Sequence, residues 1–230
     1  MSSGKFAIGR ITIGALVTLL AAGNAYAQTA DRAPVELQSA EQLTQDKVGK
    51  ESWTYISPTA NFPKYRTVII EPVTVYDGPD SQFNGIDPGD RTRFAEIFTA
   101  ALRSEISKSF PAPAKAKSDT LRVHVSLLGA RKTAGGLATA ARATPIGFGL
   151  HAAKSLIGKQ GALTGSALIA VEVFDGVSGE LLLSAIRRRS PDPLDIPATL
   201  STSETIKAVA RDFASSARRR LETMANVQRP

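Results

Sequence analysis

Cysteine is absent from all 230 residues. That excludes disulfides, thiolate nucleophiles and thiolate metal sites, and it removes the residue to which a lipid is attached at a processed N-terminus. Histidine is scarce. His124 and His151 are the only two, too few for a three-ligand catalytic zinc site, and neither has a carboxylate at useful spacing. No Gly-x-Ser-x-Gly occurs, so a nucleophile elbow is missing. Two glycine motifs are incomplete. Gly147-Phe148-Gly149-Leu150-His151-Ala152 follows the outline of a dinucleotide fingerprint, but Pro145 spoils the strand that should precede it. Gly158-Lys159 is followed by Gln160 where a phosphate loop needs a hydroxyl to hold magnesium. These absences predict a non-enzymatic protein without a cofactor or a resident metal.

Beyond residue 27, no stretch approaches the ~18 uncharged apolar residues of a membrane-spanning helix. Before it, the chain reads as a secretory signal peptide. Lys5 and Arg10 supply the basic end, Ile13 to Gly23 the apolar middle, and Ala25-Tyr26-Ala27 a small-residue cleavage site, with Ala27 and Gln28 flanking the cut. The expected location is periplasmic or otherwise extracytoplasmic, without a lipid anchor. Cleavage takes two basic and no acidic residues, leaving 203 residues with 26 basic against 21 acidic, a net +5. That length suffices for one domain and a tail.

Acidic residues are missing from one long interval. Between Asp119 and Glu172 there is none, while Arg122, Arg131, Lys132, Arg142, Lys154 and Lys159 fall inside it. The middle, Ala134 to Gly161, is rich in alanine and glycine, and a short amphipathic helix near Leu150 to Ile157 fits its pattern. Arg131, Lys132, Arg142, Lys154 and Lys159 are therefore candidates for a surface that meets an anionic membrane or an envelope protein. The triplets Arg187-Arg188-Arg189 and Arg218-Arg219-Arg220 add positive charge. Strand alternation should split the first between two faces, and a solvated surface is the ordinary reading of both. Nucleic acid is not expected, because an exported chain seldom meets it and no aromatic platform accompanies the arginines.

The pattern of apolar residues predicts the fold. Residues 28–52 carry no sustained period and read as a flexible tether, with order beginning near Trp53 and Tyr55. Arg66 to Tyr76 reads as a strand whose phase slips at Pro72, at a bulge or on a sheet edge. Asp87 offers an N-cap, with Pro88 at the first helical position, for a helix marked by Phe94, Ile97, Phe98, Ala101, Leu102 and Ile106. Leu121, Val123, Val125 and Leu127 alternate with Arg122, His124 and Ser126 in a half-buried strand, which predicts that His124 faces solvent. Gly165 to Asp175 and Glu180 to Arg189 form a hairpin across the turn Asp175-Gly176-Val177-Ser178-Gly179. Glu172 and Glu180 flank it and are expected to point outward into water. Ser201 and Glu204 have capping-box spacing ahead of a helix carrying Ile206, Val209, Ala210, Phe213, Ala217, Leu221 and Met224. The order β-α-β-β-β-α predicts an α+β fold: a mostly antiparallel four-stranded sheet with two helices on one face, in a single domain over residues 53–226.

Tyr65 to Pro72 followed by Val73, together with Gly165, Glu172, Asp175, Ser178, Gly179 and Glu180, resembles a bacterial lipoprotein-like family known as domain of unknown function 3313. The resemblance spans about Trp53 to Leu221, and its motifs are structural: a strand ending in an acidic residue and proline, and a hairpin turn with aspartate and glycine. It implies an envelope protein without assigned activity, and this chain departs from it in lacking a lipobox cysteine. The function expected is binding of an anionic or proteinaceous envelope component through a basic surface. The alternatives are a hydrolase assembled from scattered carboxylates and a histidine, tested at His124 and Glu172, and a homo-oligomeric assembly component using a sheet edge near Pro72.

Overall fold

The structure is a computed structural model that describes residues 36–46, 52–83, 85–133, 165–192, 195 and 197–227. Among these residues the chain forms seven strands and two α-helices. The strands are β1 (Thr44–Gln45), β2 (Ser52–Ile56), β3 (Thr67–Ile70), β4 (Thr74–Val75), β5 (Thr120–Arg131), β6 (Ser166–Asp175) and β7 (Leu181–Arg189). The helices are α1 (Pro88–Ile106) and α2 (Thr202–Met224).

One sheet holds all seven strands in the order β1-β2-β7-β6-β5-β3, with β4 also on β5. The fold is α+β as expected, but the sheet is mixed and larger than four strands. β3 and β4 run parallel to β5, and the other neighbours are antiparallel. The extra strands have simple origins. Pro72 breaks the strand expected over Arg66 to Tyr76 into β3 and β4, which lie along the same partner. β1 and β2 are too short to show a period against the polar residues around them.

The edge at Pro72 is occupied. Val68 N–H donates to Pro111 O at 3.2 Å, Val73 N–H to Thr99 Oγ1 at 2.9 Å, and the Arg103 guanidinium reaches Ile70 O. α1 and the chain after it thus take the groups that a second sheet would need.

Alternation sorts the side chains onto two faces. Leu121, Val123, Val125 and Leu127 of β5 join Ile169 and Val173 of β6 beneath α1 and α2. α1 buries Phe94, Phe98, Leu102 and Ile106, and α2 buries Ile206, Val209, Ala210, Ala214 and Leu221. The Phe98 and Phe213 rings meet at 5.9 Å between the helices. Ser201 caps α2, its hydroxyl accepting from Glu204 N–H at 3.2 Å. Asp87 precedes α1, with Pro88 at its start, but makes no side-chain cap bond.

On the other face, Trp53, Leu128, Leu168, Ala170 and Ile186 form a second core with Leu37. Residues 36–46 lie over this face, so part of the segment expected as a tether is a packed strap. Leu37 and Ser39 are buried, and β1 pairs with β2. The strap's polar sequence hides it: Leu37, Ala40 and Leu43 pack on the second core without a sustained period, and hydrogen bonds from Ser39 to Glu172 and Ser184 fasten it further.

β5 changes face by a bulge at Leu127 to Gly129, which puts Leu128 into the second core. Gly129 is required there. A Cβ would stand 2.5 Å from Gln82 Cβ and 2.6 Å from Gln82 O.

Candidate functional site

Two depressions flank the sheet, one on each face. The first is a groove of about 290 Å³ between the sheet and the helices. Its floor is Val123, Val125, Ile169, Val171 and Val173, and its roof includes Phe213, Ala217 and Met224 of α2. Val171 and Ala185 decide that it is open. They lie on inner strands under the helices, where a closed interface would bury them fully, yet each is partly exposed.

Arginines stand at the mouth of this groove. Alternation on β7 sends Arg187 and Arg189 to the helix side, and Arg220 comes from α2 to line the same opening. Arg188 points the other way, to Ser166 Oγ at 3.2 Å and Gln82 Oε1 at 2.5 Å, so the first triplet is split between faces as alternation predicts. Within the second triplet, Arg218 is bound to Glu105 and Glu222, and Arg219 to Ser215. The expected solvated surface holds for Arg189, Arg219 and Arg220, which are exposed, whereas Arg187, Arg188 and Arg218 are partly buried; the fold brings Arg187, Arg189 and Arg220 to one opening.

Arg187 is held by Asp46 of the strap at 2.8 Å, by Trp53 O at 2.6 Å and by Thr54 Oγ1 at 2.5 Å. Burial, and then the neighbouring charges of Arg189 and Arg220, hold its guanidinium below the usual arginine value, while Asp46 offsets part of this. Asp46 answers in kind. A hydrogen bond from Ser52 at 2.6 Å lowers its carboxyl against the opposing effect of burial, and the Arg187 charge and Thr54 lower it further. Among the described residues, neither Arg189 nor Arg220 has a carboxylate partner. The mouth therefore carries a local excess of positive charge over an apolar floor.

The second depression, about 470 Å³, opens on the opposite face beside the strap and is polar. His124 and Glu172 are direct neighbours in register across β5 and β6. His124 Nδ1 lies 3.0 Å from Glu71 Oε2, and Nε2 lies 3.2 Å from Ser126 Oγ. Thr74 Oγ1 shares that serine at 2.8 Å. Arg122 pairs with Glu71 at 3.4 Å and stacks on the Phe174 ring.

Two expectations fail here. His124 does not face open solvent but is half-buried in this cleft, because the strap and Glu71 wall it in. Glu172 is buried, its Oε1 accepting from Ser39 N–H at 2.9 Å, while Ser39 and Ser184 hydroxyls meet at 2.7 Å. Glu180 does stay outside, accepting from Thr59 at 2.8 Å. Sequence reasoning missed Glu71 as the histidine's partner. Its only signal was its place before Pro72, where β3 ends.

Of the candidate anionic-partner residues, Arg131 closes β5 and Lys132 follows it, both exposed. Arg142, Lys154 and Lys159 lie outside the described residues, as do His151, the two glycine motifs and the signal-peptide region. Among the described residues, no group of three or more histidines and carboxylates is placed to hold a metal ion, and no helix is long and apolar enough to cross a membrane.

A mixed sheet with paired helices on one face and a strap on the other defines an α+β domain. The chain belongs to the family described as a protein of unknown function, DUF3313, whose model matches residues 36–217. The match takes in the strap from its first described residue. No curated protein matches the chain.

Several solved structures resemble it at low identity. The PelC dodecamer from Paraburkholderia phytofirmans is 12% identical, covering 77% of this chain and 98% of its own, with a TM-score of 0.37. A candidate lipoprotein from Caulobacter crescentus CB15 is 11% identical over 74% of this chain and 96% of its own, at 0.32. A DUF4136 family protein from Bacteroides thetaiotaomicron VPI-5482 is 13% identical over 76% and 96%, at 0.33.

Proposed function

We propose that this chain is an exported, non-enzymatic protein of the cell envelope that binds an anionic envelope component through its basic surface, with the arginine-rimmed groove as the point of contact. One observation carries the reading: Arg187, Arg189 and Arg220 converge from β7 and α2 on one opening, with Asp46 the only carboxylate on them among the described residues. Guanidinium groups brought together raise each other's energy, and an anion bound between them removes that cost. Their planar forks suit phosphate or carboxylate oxygens two at a time. The signal-like N-terminus supports export, and the net +5 of the chain after cleavage supports attraction to an anionic surface before contact. Arg131, Lys132, Arg142, Lys154 and Lys159 extend that attraction beyond the groove.

The test is co-sedimentation with phosphatidylglycerol vesicles against phosphatidylcholine vesicles, for the mature chain and for Arg189→Glu with Arg220→Glu. Both substituted side chains are exposed, so the fold should survive. Binding to the anionic vesicles should fall at least tenfold in the double variant and weaken with salt. Equal binding by both proteins would overturn the reading.

A second reading, an envelope hydrolase, is favoured by the order carboxylate, imidazole and hydroxyl in Glu71, His124 and Ser126. Against it, Ser126 is buried and already shared with Thr74. A screen of carboxylic and phosphate ester substrates decides. Turnover that disappears in His124→Ala would establish the second reading, and no turnover by the wild-type chain would remove it.

A further inference from the structure

We infer that the groove under α2 takes the hydrocarbon chain of a single-chain anionic amphiphile, a fatty-acid or lysophospholipid type of molecule, with its head on the arginines. The inference rests on the reading that the arginine mouth binds an anion, and it adds what lies behind that anion.

Three features of the site support it. Behind Arg187, Arg189 and Arg220 the walls are aliphatic and aromatic, from Val171 and Ala185 on the sheet to Phe213 and Met224 on α2. A free inorganic anion would use the arginines and leave this surface unsatisfied, whereas an amphiphile covers both. Second, the volume of about 290 Å³ lies at the small end of ligand sites, which suits one chain and not two. Third, the arginines line the same groove as its apolar walls, so one molecule can place its head on the arginines and its chain under α2. The partly exposed Val171, Ala185, Ala217 and Met224 are the apolar surface that such a chain would remove from water.

The strap gives the site a competitor. Asp46 already offers Arg187 a carboxylate at 2.8 Å, while Arg189 and Arg220 lack one among the described residues. The incoming head group therefore has two open guanidinium groups and a third shared with the chain's own aspartate.

The experiment is titration calorimetry of the mature chain with methyl, butyl, octyl and dodecyl phosphate, each kept below its micelle concentration. Affinity should rise about fourfold per added methylene while the groove fills, then level off. Ala185→Leu with Ala217→Leu, which narrows the groove and leaves the arginines alone, should flatten the dependence on length. Arg189→Glu with Arg220→Glu should weaken every phosphate in the series. Equal affinity for methyl and dodecyl phosphate in the wild-type chain would overturn the chain-binding inference and leave the anion-binding reading in place. Absence of both phosphate and vesicle binding would overturn the two together. The length series uses the unaltered protein, so the result stands even if the leucine variant folds poorly.

Discussion

Asp175→Ala should cost the domain about 3 kcal/mol in a urea titration. The carboxylate stands where β6 enters its hairpin turn and satisfies two separate parts of the fold. One oxygen accepts the N–H groups of Val177 and Ser178, each at 2.9 Å. The other accepts the Tyr65 hydroxyl at 2.8 Å and the Lys64 ammonium at 3.0 Å. Tyr65 is fully buried, so the alanine variant leaves its hydroxyl without a partner and out of reach of water. The lysine is half exposed and contributes little.

The pH dependence follows from the same contacts. Burial on its own would raise the Asp175 carboxyl, but the hydrogen bonds from Ser178, Tyr65, Lys64 and Val177 outweigh it and hold the group well below the usual aspartate range. At neutral pH the group is ionised both folded and unfolded. As pH falls through about 4, the unfolded chain takes up the proton first, so stability drops. The gap between wild type and Asp175→Asn should therefore narrow progressively below about pH 4. A gap that stays constant down to about pH 3 would show that the carboxylate is not held in this way.

Phe98→Ala should cost about 3–5 kcal/mol. Phe98 is fully buried at the crossing of the two helices, its ring against Phe213. Phe213→Ala should cost clearly less, because that ring is partly exposed as part of the groove wall. Denaturant midpoints with unchanged slopes would check both. Equal losses would mean that the groove is closed in solution.

What could be read from the sequence was set by repeated, local signals. The long alternation of β5, the paired strands around Asp175 and Gly179, and the capped α2 were each declared by many residues in one period, and the structure has all three. The strap was not, because a short polar segment gains its order from distant partners: Ser39 meets Glu172 and Ser184 from the far end of the chain. For the same reason Glu172 was misread as solvated. Alternation placed it on the face away from the helices, and nothing local showed that another segment covers that face. The arginine mouth lay between these cases. Alternation separated Arg187 and Arg189 from Arg188, but only the packing of α2 on the sheet brings Arg220 to them.

The pairing of β2 with β7 also decides when the domain can close. Ser52 meets Arg187, 135 positions later, and the strap in turn rests on β2. The β6–β7 hairpin can form early across its tight turn, but the β2 edge must wait for nearly the whole chain. A polypeptide emerging from its N-terminus can pair β1 with β2 locally, but it holds the other edge of β2 open until the last strand arrives.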